Sequence, residues 1–447
     1  MTERKKVAII GSGTGLTLAF LLLDHFDVTI FEASDRLGGH INSIEIKCND
    51  GSNAIVEGGA EFLDSTYLHF FRLLDYLKVE KRKYTMTLEF INQVTKERIY
   101  FSPDLSDTAK NFDGLGEAFE KEGIKGLMKE MVEDSDKISH LINLKLVIEY
   151  FKCNKKKIPK TVTLEELLKS IGKEKFGEEF LYHVVASSWG VSSDDAKTFL
   201  AYCALNYLSV KPEFYEVIGG LSKYIKALEE KIKNKCEILL NHEVKSIHRT
   251  GDKFIVGGIS DFDEVVLCTN AEISAKLISS IPELIDLKAV LNTLKYYDTT
   301  VCFHEAPSDN TFNKNIVVHM EYDGKRTCTS VLKKWNSNVT KKWVFNDEYP
   351  KDVYVVRQYR HPHMDLPYYQ VQEALKKQNE LSNGVSFGSI LGGLCDRYQS
   401  GADSHESGIM ASVNIADNLF KKYNIPRSDE LKLFDGITDV DECCFCC

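Results

Sequence analysis

The chain has 447 residues, 43% hydrophobic and 27% charged, with 56 basic against 66 acidic side chains and a formal net charge of -10. That length accommodates two domains and a large buried core, and the composition excludes wholesale disorder. The acidic excess argues against a broadly basic surface, so nucleic acid is not an expected partner.

The chain begins MTERKK and runs straight into Val7–Ile10, an apolar run too short for a signal-peptide core. No later stretch is long enough to span a bilayer, and the expected location is cytoplasmic. After that first strand come Gly11, Ser12, Gly13, Thr14 and Gly15, then an apolar helix from Leu16 to Leu23 and a second strand, Val28–Phe31, ending at Glu32. This β-turn-α-β order is that of a dinucleotide-binding unit. The glycines let the backbone turn tightly and let a pyrophosphate approach main-chain N–H groups at a helix N-terminus. Glu32 lies 21 positions after Gly11 (32 minus 11), close to the spacing of about 20 at which an acidic residue meets a ribose diol. A strict G-x-G-x-x-G would place its third glycine at 16, where this chain has Leu16. Gly15 comes one position early, and the loop reads as one residue short.

Two further glycine turns follow. Ala33 leads to Arg36, Gly38, Gly39 and His40, and the run VEGGAE contains Gly58, Gly59, Ala60 and Glu61. With Glu32 before them, they resemble the FAD-binding start of the flavin amine oxidase and phytoene desaturase superfamily. An NAD-dependent dehydrogenase would leave these turns unused. The resemblance implies non-covalent FAD held by Gly11–Leu16, Glu32, Ala33, Arg36, Gly38, Gly39, His40 and Gly58–Glu61.

Farther along, Thr66–Lys78 has helical spacing, and Met86–Asn92 and Arg98–Phe101 read as strands. Leu115–Phe151 is helical and rich in charge, and Lys152–Lys160 (KCNKKKIPK) reads as a solvated connection in preference to a lipid contact. Thr163–Tyr207 is expected to form two or three helices, with Trp189 in the core and Ser192 or Ser193 as a cap. Gly219 and Gly220 open a helix to Ile232, followed by strands at Glu237–Leu240, Glu243–Ile247, Lys253–Val256 and Glu264–Cys268. The last resembles the superfamily's return into the FAD domain, and the same resemblance puts Val244 at the cofactor.

Asp298–His304, Ile316–Met320, Lys325–Leu332 and Val353–Arg360 predict an antiparallel sheet, with a helix at Leu366–Gln378 and a strand at Val385–Leu391. Superfamily members end with a strand, a glycine-containing loop and a helix whose N-terminus faces the flavin. Gly392–Leu419 resembles that ending, which places His405, Glu406, Gly408 and Ile409 at the cofactor. Together with Arg360, His361 and Pro362, the segment is similar to bacterial-type NAD/FAD-binding amine oxidase-like proteins, often found alongside cyclopropane fatty acid synthases.

The expected fold is α/β: a Rossmann-like FAD-binding domain in three pieces (1–80, 214–290 and 383–425) and an α+β substrate domain (81–213 and 291–382), with a flexible Cys-rich tail at 426–447. The implied activity is an FAD-dependent oxidoreductase transferring a hydride from a small or lipid-like substrate to the flavin. The alternative is a degenerate flavin fold acting as a binding module, which the short loop motivates. Catalytic candidates are His405, for its tunable proton, and Lys333 beside Lys334, which the superfamily resemblance places near a flavin. The plainer roles are cofactor contact for His405 and exposed loop for the lysines. His361 and His363 lack a third ligand at a recognisable spacing, so no metal is expected. The surroundings of Cys395 do not match a covalent flavin anchor. Cys443, Cys444, Cys446 and Cys447 are candidates for S-acylation and peripheral membrane attachment, against a thiol metal cluster or a plain tail.

Overall fold

The computed structural model describes residues 4–59, 61–101, 135–209, 213–307, 314–344, 349–381, 383–388 and 405–437. Ala60, the predicted helical stretch 115–134, the glycine loop with Cys395, and the terminal cysteines lie outside these residues.

A five-stranded parallel sheet organises one part of the molecule, in the order Glu237–Leu239, Phe26–Phe31, Lys5–Ile10, Glu264–Leu267, Val385–Phe387. Its central strands are near-continuous apolar runs because both faces are covered, as parallel sheets require. The helix Gly15–Leu22 shows why: all eight of its residues are buried, so it presents no polar face. It packs against the helices Ser222–Ile232 and His405–Lys422.

The second part is a seven-stranded sheet in the order Val353–Pro362, Tyr296–Glu305, Val339–Val344, Thr327–Lys333, Ile316–Tyr322, Met86–Asn92, Arg98–Phe101. It is antiparallel except where Ile316–Tyr322 runs parallel to Met86–Asn92. Alternating residues of Met86–Asn92 and Ile316–Tyr322 meet the helices Ser135–Asn154 and Tyr182–Trp189 in one apolar core.

The structure corrects several local expectations. Residues 243–246 are not a strand; the strand is Ile247–Thr250. The preceding residues are drawn along the sheet edge, where the Asn241 and His242 amides donate to the carbonyls of Ser34 and Glu32. Thr163–Tyr207 breaks into more helical pieces than expected, one of them a π-helical turn at Gly177–Leu181, and Ser192 caps Ser193–Thr198 by accepting from the Asp195 amide. The strand Val339–Val344 and the hairpin Ser43–Lys47 with Asn53–Glu57 were not foreseen. Among the described residues no helix is long and apolar enough to cross a membrane, and no cluster of three metal-ligating side chains occurs.

Candidate functional site

A cavity of about 580 Å³ lies beyond the C-terminal ends of the parallel strands, where open α/β sheets place ligands, and extends under the seven-stranded sheet. Gly11, Ser12, Gly13, Thr14 and Glu32 line one end, with Thr269 and Asn270 after the strand Glu264–Leu267.

The glycine loop is built by close approaches. Gly11 has φ +96°, and a side chain there would stand 2.7 Å from the Cys268 carbonyl oxygen. Gly15, the first helical residue, sits so close to the first strand that a Cβ would come within 2.6 Å of the Ile9 Cγ2. It therefore permits the tight helix-to-strand contact usually assigned to the third glycine of the pattern. A Cβ on Gly39 would meet the Gly13 Cα at 3.1 Å, so the two glycine turns abut without an intervening side chain. Gly408 closes the same corner: its Cβ would lie 2.4 Å from the Thr14 Cγ2.

Glu32 accepts from the Ser12 amide and hydroxyl at 2.9 and 2.6 Å through one oxygen, and from the Ser34 amide and hydroxyl at 2.9 and 2.8 Å through the other. Burial pushes its carboxyl up, yet these four hydrogen bonds outweigh burial and hold it below the usual carboxylate range. These four donors fill the acceptor positions of the carboxylate, and the two serine hydroxyls, which can rotate away, hold the positions that a ligand hydroxyl would take.

Of the predicted site residues, Gly11, Ser12, Gly13, Thr14, Glu32, Gly38, Gly39, His40, Gly58, Gly59, Glu61, His405, Gly408 and Ile409 line this cavity together. The others are placed elsewhere. Gly15 and Leu16 are buried in the helix core, and Ala33 points outward. Arg36 holds the double-glycine turn from the side, donating to the Ile41 and Gly39 carbonyls at 2.8 and 2.7 Å. Val244 packs into the apolar core. Glu406 turns away to cap the helix Leu68–Tyr76, accepting from the His69 and Phe70 amides at 2.8 and 2.9 Å.

Lys333 is neither exposed nor on the cavity. It lies in a buried ion cluster, 2.8 Å from Glu61 and 3.2 Å from Glu216. Lys341 approaches the other Glu61 oxygen at 2.8 Å and donates to the Gly59 carbonyl at 3.1 Å. Burial pushes the Glu61 carboxyl up, but the two ammonium groups override it and hold it at about 2. Lys333 is raised and Lys341 lowered, because burial is answered by more than one carboxylate at Lys333 and chiefly by Glu61 at Lys341.

Residues that sequence reasoning passed over complete the walls. Tyr224 hydrogen-bonds His405 Nε2, and burial holds that imidazole down at about 4. The far half of the cavity is apolar: Met86, Leu88 and Met320 from the sheet face Leu144, Ile148 and Val184 from the helices. Trp189, expected in the core in preference to a substrate contact, serves in both settings, packing on Phe199 and Tyr207 while lining the cavity. Their signal in the sequence was ordinary strand and helix periodicity, which marks burial without separating core from cavity wall.

The family model for flavin-containing amine oxidoreductases matches residues 14–338. The chain belongs to this family.

This flavin oxidoreductase shares its fold with solved structures at low identity. A redesigned triple mutant of putrescine oxidase is 15% identical, with a TM-score of 0.64 over 94% of this chain and 99% of that one. Cyclohexylamine oxidase from Brevibacterium oxydans gives 14% and 0.64 over 94% and 100%. A fatty acid isomerase from P. acnes that produces CLA gives 12% and 0.61 over 95% and 100%. No curated protein matches the sequence significantly.

The protein is thus an FAD-dependent oxidoreductase, and its residues fit the cofactor. Bare glycines face each other where a diphosphate needs backbone contact, and an ionised carboxylate stands at the end of the second strand. The early third glycine does not spoil the loop, because Gly15 makes its packing contact one residue sooner.

Proposed function

We propose that this oxidoreductase removes a hydride from an uncharged, lipid-like substrate lying in the apolar half of the cavity. FAD, when bound, supplies the two-electron acceptor. In this reading the amides of Gly11–Gly15 and the N-terminus of Gly15–Leu22 take the diphosphate, and Glu32 takes the ribose diol. Gly39, Gly58, Gly59 and the first turn of His405–Lys422 border the redox end. The cofactor domain comprises 1–80, 214–290 and 383–425. Residues 426–437, expected as part of a flexible tail, instead pack on it: Leu431 and Phe434 are buried in the core around Gly15–Leu22, and Ser428 donates to the Leu21 carbonyl.

The observation that carries this reading is the charge of the walls. Among the described residues, the only carboxylates lining the cavity are Glu32 and Glu61. Glu32 belongs to the glycine-loop end, and Glu61 is already neutralised by Lys333 and Lys341. Among the described residues an alkylammonium would therefore find an apolar space with no counter-ion, which is costly. The walls around Leu88, Leu144, Ile148 and Met320 instead suit a hydrocarbon chain. The shared fold does not decide the matter, since amine oxidases and a fatty acid isomerase share it equally.

Anaerobic mixing of the FAD-loaded protein with an unsaturated C18 acyl ester or with a primary amine, followed through the flavin absorbance, tests the reading. Bleaching by the acyl chain alone is expected. Bleaching by amines alone would overturn it.

A further inference from the structure

The helix Ser135–Asn154 is apolar on two opposite sides. Its inner side, Leu141, Leu144, Ile148 and Phe151, is buried, and Leu144 and Ile148 form part of the cavity wall. Its outer side carries Ile142, Leu146 and Tyr150, one helical turn apart and 52%, 53% and 40% exposed. Single exposed apolar residues are ordinary, whereas three in register on one helix face are a patch with a purpose.

The charge beside this stripe is equally uneven. In a chain of net charge -10, the stretch 145–160 holds Lys145, Lys152, Lys155, Lys156, Lys157 and Lys160 against the single acid Glu149. Lys145, Lys152, Lys156 and Lys157 are exposed, and Glu149 pairs with Lys152 at 3.3 Å. Burial of an apolar helix face together with lysines that reach the headgroups is how a helix lies on an anionic bilayer. A nucleic acid would use the lysines and leave Ile142 and Leu146 in water, and a neutral protein groove would use the apolar stripe and offer the lysines no opposite charge.

We propose that the outer face of Ser135–Asn154, with the lysines that follow it, docks this enzyme on the surface of an anionic phospholipid bilayer. Among the described residues no helix is long and apolar enough to cross it. Ile142, Leu146 and Tyr150 enter the boundary between headgroups and acyl chains, while the ammonium groups meet the lipid phosphates. The same helix then stands with one side on the bilayer and the other on the apolar cavity. The proposal extends the lipid-substrate reading but does not depend on it, because docking is measured without substrate.

The test is co-sedimentation of the full-length, FAD-loaded protein with vesicles of phosphatidylcholine alone or with 30% phosphatidylglycerol (about a third of the lipid, enough to give a strongly negative surface). Bacterially produced protein, checked by mass for unmodified cysteines, removes acylation of the tail as a cause. Binding to the anionic vesicles only, weakened by salt, is expected. The variant Ile142→Ser/Leu146→Ser/Tyr150→Ser is expected to bind at least about tenfold more weakly with its flavin spectrum unchanged. Lys152→Glu/Lys156→Glu/Lys157→Glu is expected to lose the preference for anionic lipid. Failure of the wild type to bind, or binding unaffected by both variants, would overturn the proposal. So would a concentration-dependent dimer that the serine variant abolishes, since a second copy would then be the occupant. Docking without bleaching by acyl chains would sink the substrate reading alone.

Discussion

The Tyr224 hydroxyl and the His405 Nε2 form a hydrogen-bonded couple at the cavity wall, joining the helix Ser222–Ile232 to the first residue of His405–Lys422. Burial holds the His405 imidazole at about 4, below its ordinary value of 6.5. The folded protein therefore keeps this ring neutral at pH values where the unfolded chain protonates it. Stability must fall as pH drops from about 6.5 to 4, by on the order of 3 kcal/mol from this one residue. Comparing denaturation midpoints of wild type and His405→Gln across that window checks this. The variant's curve should be flatter, and parallel curves would show that His405 is protonated in the fold.

The contacts of Gly15 and Gly408 carry a second prediction. A methyl group at Gly15 meets the buried, β-branched Ile9, and one at Gly408 meets Thr14, whose hydroxyl donates to the Gly388 carbonyl. Neither neighbour can swing aside freely. Gly15→Ala and Gly408→Ala should each cost about 1–3 kcal/mol through overpacking. Both should also weaken FAD binding, measured by fluorescence titration of the apoprotein, because each displaces the loop Gly11–Thr14. Gly51→Ala is the comparison for FAD binding alone: nothing lies within 4 Å of a Cβ there but its φ is +86°, so it should lose stability through backbone strain and leave FAD affinity unchanged.

This loop also shows how far the sequence can be read. The glycines, Glu32 and the two later turns were legible because each answers a local backbone demand at a fixed spacing, and they line one cavity. The short strand Val339–Val344 was not, because VTKKWV has two adjacent lysines that break alternation. Lys341 nevertheless faces inward, since Glu61, far away in the chain, supplies its counter-charge. Lys333 was misread for the same reason: a buried lysine and a loop lysine look alike until the carboxylate beside it is known. Tyr224 reaches the cavity through the packing of two helices remote in sequence, which no spacing rule records.

The buried cluster around Glu61 makes a third prediction. Glu61→Gln leaves Lys333 with Glu216 but leaves Lys341 with the Gly59 carbonyl and the face of the Trp343 ring, neither of which carries a counter-charge. Removing one partner of such a buried set costs about 3–5 kcal/mol, most of it the unpaired charge. Glu61→Gln with Lys341→Met should recover part of the loss, and a double-mutant cycle in urea would measure the coupling. The pH dependence has the opposite origin from that of His405 but the same direction. Glu61 is held at about 2 in the fold, so its contribution is complete above about 4.5 and disappears as pH falls toward 2.

His363 reverses that sign. Its ring lies 3.5 Å from Asp195 through Nε2 and 3.2 Å from Asp365 through Nδ1, and it packs against Phe199. Asp195 belongs to the helix Ser193–Thr198, and Asp365 caps the helix Leu366–Glu380, so one imidazolium ties two helices together. Hydrogen bonding to Asp195 and then Asp365 raises its pKa to about 9, against the opposing effect of burial. A proton bound more tightly in the folded state stabilises below the ordinary value near 6.5, and the gain is lost as pH rises through 9. His363→Gln should therefore destabilise by on the order of 2 kcal/mol at pH 6 and much less at pH 10. Equal destabilisation at both pH values would mean that packing on Phe199, and not charge, is what this histidine contributes.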